Sequence, residues 1–167
     1  QATVDRFGRI DVLVNNAGTG STGAREESSV AQDRIVFDVS LLRMTKSVLP
    51  HMRAQRSGRI INMSSVGGFA PQPFMASYVA SKHAVEGLSE SLRREMMLFG
   101  IDVIIIAPGA VKTPIWGKAE EVDIAPYQNS PYYAALTKIR KFMTQLGEGG
   151  LPAETIAAKI FEALTLP

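Results

Sequence analysis

The chain has 167 residues, 46% hydrophobic and 20% charged, with a formal net charge of +2. That length and balance suit one globular domain with a sizeable core, and the charge gives no reason to expect a nucleic-acid partner. With no cysteine, disulfides and thiolate metal sites are excluded; a reducing, cytoplasmic setting is the expectation. His51 and His83 are far apart and sit in no ligand-like cluster, so both are expected to be surface or packing residues. No apolar run is long enough to span a bilayer, and no secretory signal pattern is visible. The sequence opens at Gln1 and runs directly into a helical pattern.

In chain order, the first buried strand is expected at "IDVLVN" (Ile10–Asn15), ending at "NAG". A helix is expected from near Ser28-Ser29 to about Gln55. Leu41, Met44, Val48 and Met52 stand at helical spacing, and Pro50 in its last turns is placed to end or kink it. Arg53, Arg56 and Arg59 read as a solvated helix end and the turn after it. "RIINMS" (Arg59–Ser64) follows the breaker Ser57-Gly58 as a second strand. A helix from about Ala76 to Phe99 carries Val85, Leu88, Leu92 and Met96 as its stripe, with Gly100 as the stop. "DVIIIA" (Asp102–Ala107) is a third strand, closed by Pro108-Gly109. Residues 112–150 have no clean period and are expected to form a substrate lid with only short helices. A last helix follows Pro152 and runs to about Leu164.

The three strands are apolar on both faces, as in a parallel sheet covered by helices on each side. Their alternation with helices implies βαβ units with right-handed crossovers. One domain over residues 1–167 is expected. In open α/β sheets, ligands bind beyond the carboxyl ends of the strands. Three candidate segments meet that edge: Asn15–Gly18, Ser64-Ser65 and Pro108–Thr113.

"YVASK" (Tyr78–Lys82) lies on the second long helix, and i, i+4 spacing puts the phenol and the ammonium on one face. A free phenol, with a pKa of about 10, is a poor base at neutral pH, and a nearby ammonium favours the phenolate. Such a pair can exchange a proton with a hydroxyl or carbonyl oxygen. Ser65, thirteen residues earlier at a strand end, can hydrogen-bond the same oxygen. Helical Tyr/Lys pairs are common, so the spacing alone says little; the four segments together say more.

"NNAG", "IINMSS", "YVASK" and "PGAVKT", in that order and spacing, resemble the short-chain dehydrogenase/reductase family over nearly the whole chain. The resemblance implies a doubly wound, Rossmann-like parallel sheet, here incomplete at the N-terminal half. It implies an NAD- or NADP-dependent oxidoreductase interconverting a secondary alcohol and a ketone. Tyr78 would be the general acid/base, and Lys82 would favour its phenolate and bind the nicotinamide ribose. Ser65 would polarise the substrate oxygen. Asn15, Asn16, Ala17 and Gly18 would line the ribose side of the cofactor. Pro108, Gly109, Val111 and Thr113 would hold the carboxamide and the neighbouring phosphate. A homodimer or tetramer built through the two long helices is the family expectation. A lipophilic alcohol or ketone would meet Phe69, Phe74, Met75, Trp116 and the Tyr127/Tyr132/Tyr133 group.

Two departures stand out. No Gly-rich phosphate loop precedes "DVLVNNAG", so the sequence reads as a fragment lacking the ADP half of the cofactor site. Ser40 stands where relatives carry a relay Asn, and the span to "LPHM" is about three residues short, which would turn the downstream positions by about 60°. The competing reading is a catalytically inactive, truncated relative that serves as an oligomerising or regulatory module.

Overall fold

The computed structural model describes residues 2–18, 24–27, 29, 31, 41–120 and 127–165. Three strands, β1 (Val12–Asn15), β2 (Gly58–Met63) and β3 (Ile101–Ile106), form a parallel sheet in the order β1-β2-β3. Leu13 pairs with Ile60, and Ile60 with Val103. α1 (Ala2–Phe7) precedes β1, α2 (Leu41–Gln55) precedes β2, and α3 (Ala76–Met96) precedes β3. A short second ladder pairs β4 (Val111–Lys112) in parallel with β5 (Leu151–Pro152). α4 (Ile115–Glu120) and α5 (Tyr133–Glu148) lie between those two strands, and α6 (Ala153–Thr165) comes after them.

The doubly wound arrangement follows from the period of two along each strand. Ile60 and Val103 point to one face and pack with Val48 and Met52 of α2 and Met96 of α3. Ile61 and Met63 point to the other face, where Ala163, Ile156 and Ile160 of α6 meet them. Burial on both faces is why "RIINMS" and "DVIIIA" lack polar alternation. β1 is covered differently. Leu13 packs on the α2 side, whereas Val12 and Val14 are exposed.

Several boundaries differ from the sequence reading. Nearly half of the expected helix after Ser28, residues 28–40, lies mostly outside the described residues, Ser40 included. α2 continues through Pro50 to Gln55, so that proline does not end it. Met44 is exposed, while Thr45 beside it is buried and hydrogen-bonded to Asn15. Arg59 is no solvated turn residue: it lies in β2, paired with Asp102 at 2.7 Å and donating to the Ala163 carbonyl at 2.9 Å. The segment 112–150 contains the sixteen-residue helix α5 rather than short helices only. Its inward positions are Leu136, Ile139, Met143 and Gly147, a helical period that Lys138, Arg140 and Lys141 interrupt in the sequence.

α3 passes through one 3-10 turn, Met97–Phe99, and stops at Gly100, whose φ is 68°. A Cβ there would lie 3.0 Å from the Arg56 carbonyl oxygen. Glycine therefore serves both the left-handed backbone and the close approach of the two turns.

Candidate active site

The carboxyl ends of the three strands lie side by side, in register. Beyond β2 the chain folds into a 3-10 turn, Val66–Gly68, with Ser65 as its cap: the Gly67 N–H donates to Ser65 Oγ at 3.1 Å. That bond uses an oxygen lone pair and leaves the Ser65 hydroxyl proton available to another acceptor. The loop after β3 is tied to the same turn, because Val66 N–H donates to the Pro108 carbonyl at 3.0 Å. Gly109 lies against Val66. Two of the four sequence segments are thus joined through the backbone.

α3 brings in the third. A Cβ built on Gly67 would meet Tyr78 Cε1 at 3.2 Å, Gln72 Oε1 at 3.3 Å and Ser65 Oγ at 3.6 Å. The bare glycine is what lets the phenol ring and the serine hydroxyl close on one small volume. Lys82 lies one turn further along, its Nζ 5.8 Å from the Tyr78 ring centroid. It donates to the Met63 carbonyl at 2.9 Å. Burial pushes the Lys82 ammonium below its ordinary pKa.

The fourth segment enters through a buried polar ladder. Asn15 Nδ2, at the end of β1, donates to Asn62 Oδ1 at 2.8 Å and to Thr45 Oγ1 at 3.0 Å. Asn62 Nδ2 donates to Ser89 Oγ at 2.8 Å, and Ser89 in turn to the Val85 carbonyl at 2.6 Å. Asn62 has 0% exposure, with both ends of its amide bonded. The ladder links β1, β2, α2 and α3 behind the strand ends. Asn16, Ala17 and Gly18 continue from it as exposed backbone at the rim.

α3 therefore meets β2 along a polar seam of Lys82, Glu86 and Ser89, spaced i, i+4 and i+7. Glu86 Oε1 and Ser64 Oγ are buried there, each without a hydrogen-bond partner among the described residues, and both face Gly68. Asn62, Ser89, Gly67 and Gln72 did not stand out in the sequence. The one legible signal was an asparagine inside an otherwise apolar strand.

Val111 and Thr113 lie on and just after β4, further from the phenol than Pro108 and Gly109 in chain order. Trp116 anchors the start of α4 to β4: its Nε1 donates to the Val111 carbonyl at 2.7 Å. Its ring lies so close to Gly147 that a Cβ there would be 2.3 Å from it. A cavity of about 260 Å³ opens beside the ring, lined by Lys112, Thr113 and Thr144 among others. Among the described residues no helix is long and apolar enough to cross a membrane.

The short chain dehydrogenase family matches residues 1–123. The uncharacterized oxidoreductase YusZ of Bacillus subtilis (strain 168) is 37% identical over 166 residues, 97% of this chain and 59% of that protein. The NADPH-dependent 3-dehydrocapnine reductase of Ornithobacterium rhinotracheale is 34% identical over 161 residues, 92% of this chain and 56% of its own length. Among solved structures, levodione reductase superposes with a TM-score of 0.77 at 31% identity, covering 98% of this chain and 63% of that one. The chain thus spans less than two thirds of the length of these relatives. A matched sheet, matched segment order and this extent of identity make the assignment plain: the chain belongs to the short chain dehydrogenase family.

Proposed function

We propose that this chain forms the catalytic part of an NAD- or NADP-dependent oxidoreductase that interconverts a secondary alcohol and a ketone. The observation that carries the reading is the convergence of Ser65 Oγ and the Tyr78 ring beside Gly67, with the Lys82 ammonium one helical turn away. A nicotinamide bound here supplies or accepts a hydride at the carbinol carbon. The protein residues handle position and proton.

The Ser65 hydroxyl, with its oxygen already engaged by Gly67 N–H, donates to the substrate oxygen and holds it beside the phenol. In the reductive direction the Tyr78 hydroxyl gives its proton to that oxygen; in the oxidative direction the phenolate takes it back. Lys82, fixed through Met63, places positive charge behind the ring, where it stabilises the phenolate as the proton leaves. Its remaining N–H groups are suited to ribose hydroxyls. Asn15 to Gly18 would line the ribose side; Pro108, Gly109, Val111 and Thr113 would hold the carboxamide and adjacent phosphate.

The segment 112–150 is the substrate lid in this reading, and Phe69, Phe74, Met75, Trp116, Tyr127, Tyr132 and Tyr133 favour a lipophilic ketone or alcohol. A homodimer or tetramer through α2 and α3 and a cytoplasmic location complete the proposal. The relatives' reductase names and the absence of cysteine support it.

Tyr78→Phe in the full-length protein tests it, since phenylalanine keeps the ring and lacks the proton. Turnover should fall by roughly a hundredfold or more with cofactor binding unchanged. Turnover within about threefold of the parent would refute the acid/base role, because proton transfer by a positioned group contributes far more than that.

A further inference from the structure

One more side chain enters the small volume beside Gly67, and the proton chemistry does not use it. The point where a Gly67 Cβ would stand is 3.3 Å from Gln72 Oε1, as it is 3.2 Å from Tyr78 Cε1 and 3.6 Å from Ser65 Oγ. Gln72 therefore faces the same spot as the two residues that would hold and protonate the reacting oxygen. The residue is half-buried, and among the described residues its carboxamide has no hydrogen-bond partner. A carboxamide offers one acceptor oxygen and two N–H donors, and here they are left to a ligand or to solvent.

The backbone around Gln72 holds it in place. Gln72 stands between Pro71 and Pro73. Proline fixes its own φ and keeps the residue before it extended, so Ala70 and Gln72 are both restricted. Pro73 and Phe74 then turn the chain into α3, and Phe74 has a φ of 62°. Proline followed by a positive φ is the pattern of a type II turn, whose third position ordinarily takes glycine or asparagine. A bulky aromatic there is a backbone outlier, and such outliers cluster at functional sites. A segment this stiff loses little freedom when a ligand binds to it.

We propose that Gln72 is a specificity-determining residue: its carboxamide hydrogen-bonds a second polar group that the substrate carries next to the reacting carbon. The favoured substrates are then ketones with a hydroxyl or another hydrogen-bonding substituent beside the carbonyl, and the matching vicinal alcohols in the oxidative direction. The distances set that position. Ordinary hydrogen bonds span about 2.7–3.2 Å. With the carbonyl oxygen shared by Ser65 and Tyr78, a group within that reach of Gln72 Oε1 sits about one or two bonds from the carbonyl carbon. The inference rests on the oxidoreductase reading, which supplies the reacting oxygen; Gln72 decides which ketones are chosen.

The test uses the full-length protein and ketone pairs in which a methyl replaces the hydroxyl: hydroxyacetone with butanone, and hydroxymethyl octyl ketone with ethyl octyl ketone. For each ketone, kcat/KM is measured with NADH and with NADPH in the parent, Gln72→Met and Gln72→Asn. Methionine keeps the length and removes the amide; asparagine keeps the amide and draws it back by one methylene. Intrinsic reactivity of the ketones is common to parent and variants, so the change in the ratio within a pair is what Gln72 contributes. Both variants should lower the hydroxy-over-plain ratio by about tenfold, the worth of one well-placed hydrogen bond. That ratio does not depend on the fraction of a variant that folds, so poor folding cannot mimic the result. An unchanged ratio in either variant overturns the proposal. Loss of both ketones of a pair alike overturns it too, because that is the mark of a merely structural role. Either outcome with an active parent sinks the Gln72 assignment alone. A parent that reduces none of these ketones and oxidises none of the corresponding alcohols sinks the oxidoreductase reading, and the assignment with it.

Discussion

Lys82 Nζ donates to the main-chain oxygen of Met63 at 2.9 Å, so the cation of the candidate site is anchored to the last residue of the central strand. A side chain anchored to backbone keeps its place when neighbouring side chains change. The same burial that positions the ammonium also disfavours its charge.

The sign of the resulting pH effect is fixed. A lysine whose folded pKa is lowered binds its proton less tightly than in the unfolded chain. Between the folded value and the ordinary 10.5, the unfolded state holds more protons, and the Lys82 contribution to stability rises with pH through that window. Lys82→Met should abolish this alkaline gain while also reducing turnover and cofactor affinity together. Urea unfolding of parent and variant across the alkaline range checks it. An unchanged pH slope would show that Lys82 is not the group responsible.

Asn62→Ala should cost about 2 kcal/mol, since two buried hydrogen bonds and some packed volume are lost together. Asn62→Asp should cost more, because a buried charge would face Asn15 and Ser89. Denaturant midpoints measure both. A cost for alanine within the range of an ordinary surface substitution would mean that the ladder contributes nothing to holding β1, β2 and α3 together.

Gly147→Ala should drive Trp116 from its seat, because the new methyl would overlap the ring. Overpacking of this kind costs typically about 1–3 kcal/mol. The chain has one tryptophan, so its emission reports the event directly: a shift to longer wavelength, with more efficient quenching by added iodide. An unaltered spectrum would show that α5 moves instead of the ring.

The 167-residue chain itself should bind NADH and NADPH weakly or without measurable heat. Dinucleotide affinity comes largely from a pyrophosphate seated at a helix N-terminus behind a Gly-rich turn, and no Gly-rich turn precedes "DVLVNNAG" in this sequence. Calorimetric titration of folded material checks it. Micromolar binding would assign the phosphates to other residues of this chain or to a second subunit.

Much of this architecture is legible in the sequence, and the exceptions share a cause. β2 and β3 lie one residue from where apolar runs and Gly/Pro punctuation place them, and α3 starts where expected and reaches Phe99 only through its closing 3-10 turn, because burial on both faces leaves a strong local signature. Ser65, Tyr78 and Lys82 are legible from their order and spacing, and the fold brings them to one edge. α5 escapes such a reading because its inward residues are separated by three cations. Thr45 and Ser89 escape it because each is ordinary in its own segment, and Asn62 shows only as an asparagine in an apolar strand; their meaning lies in contacts between segments far apart in the chain.

The β4–β5 ladder joins Val111 to Leu151 and Lys112 to Pro152, with Gly150 set closely against Ala110. The stretch from Thr113 to Gly150 is therefore an excursion whose two feet stand together. Entropy of closing such a loop grows only slowly with its length. The excursion is a cassette in the sense of loop entropy: it can be lengthened, shortened or exchanged for another while the strands that carry Ser65 and Asn15 stay in place. Exchanging the stretch between Val111 and Leu151 then leaves the three-stranded sheet and its buried polar ladder untouched.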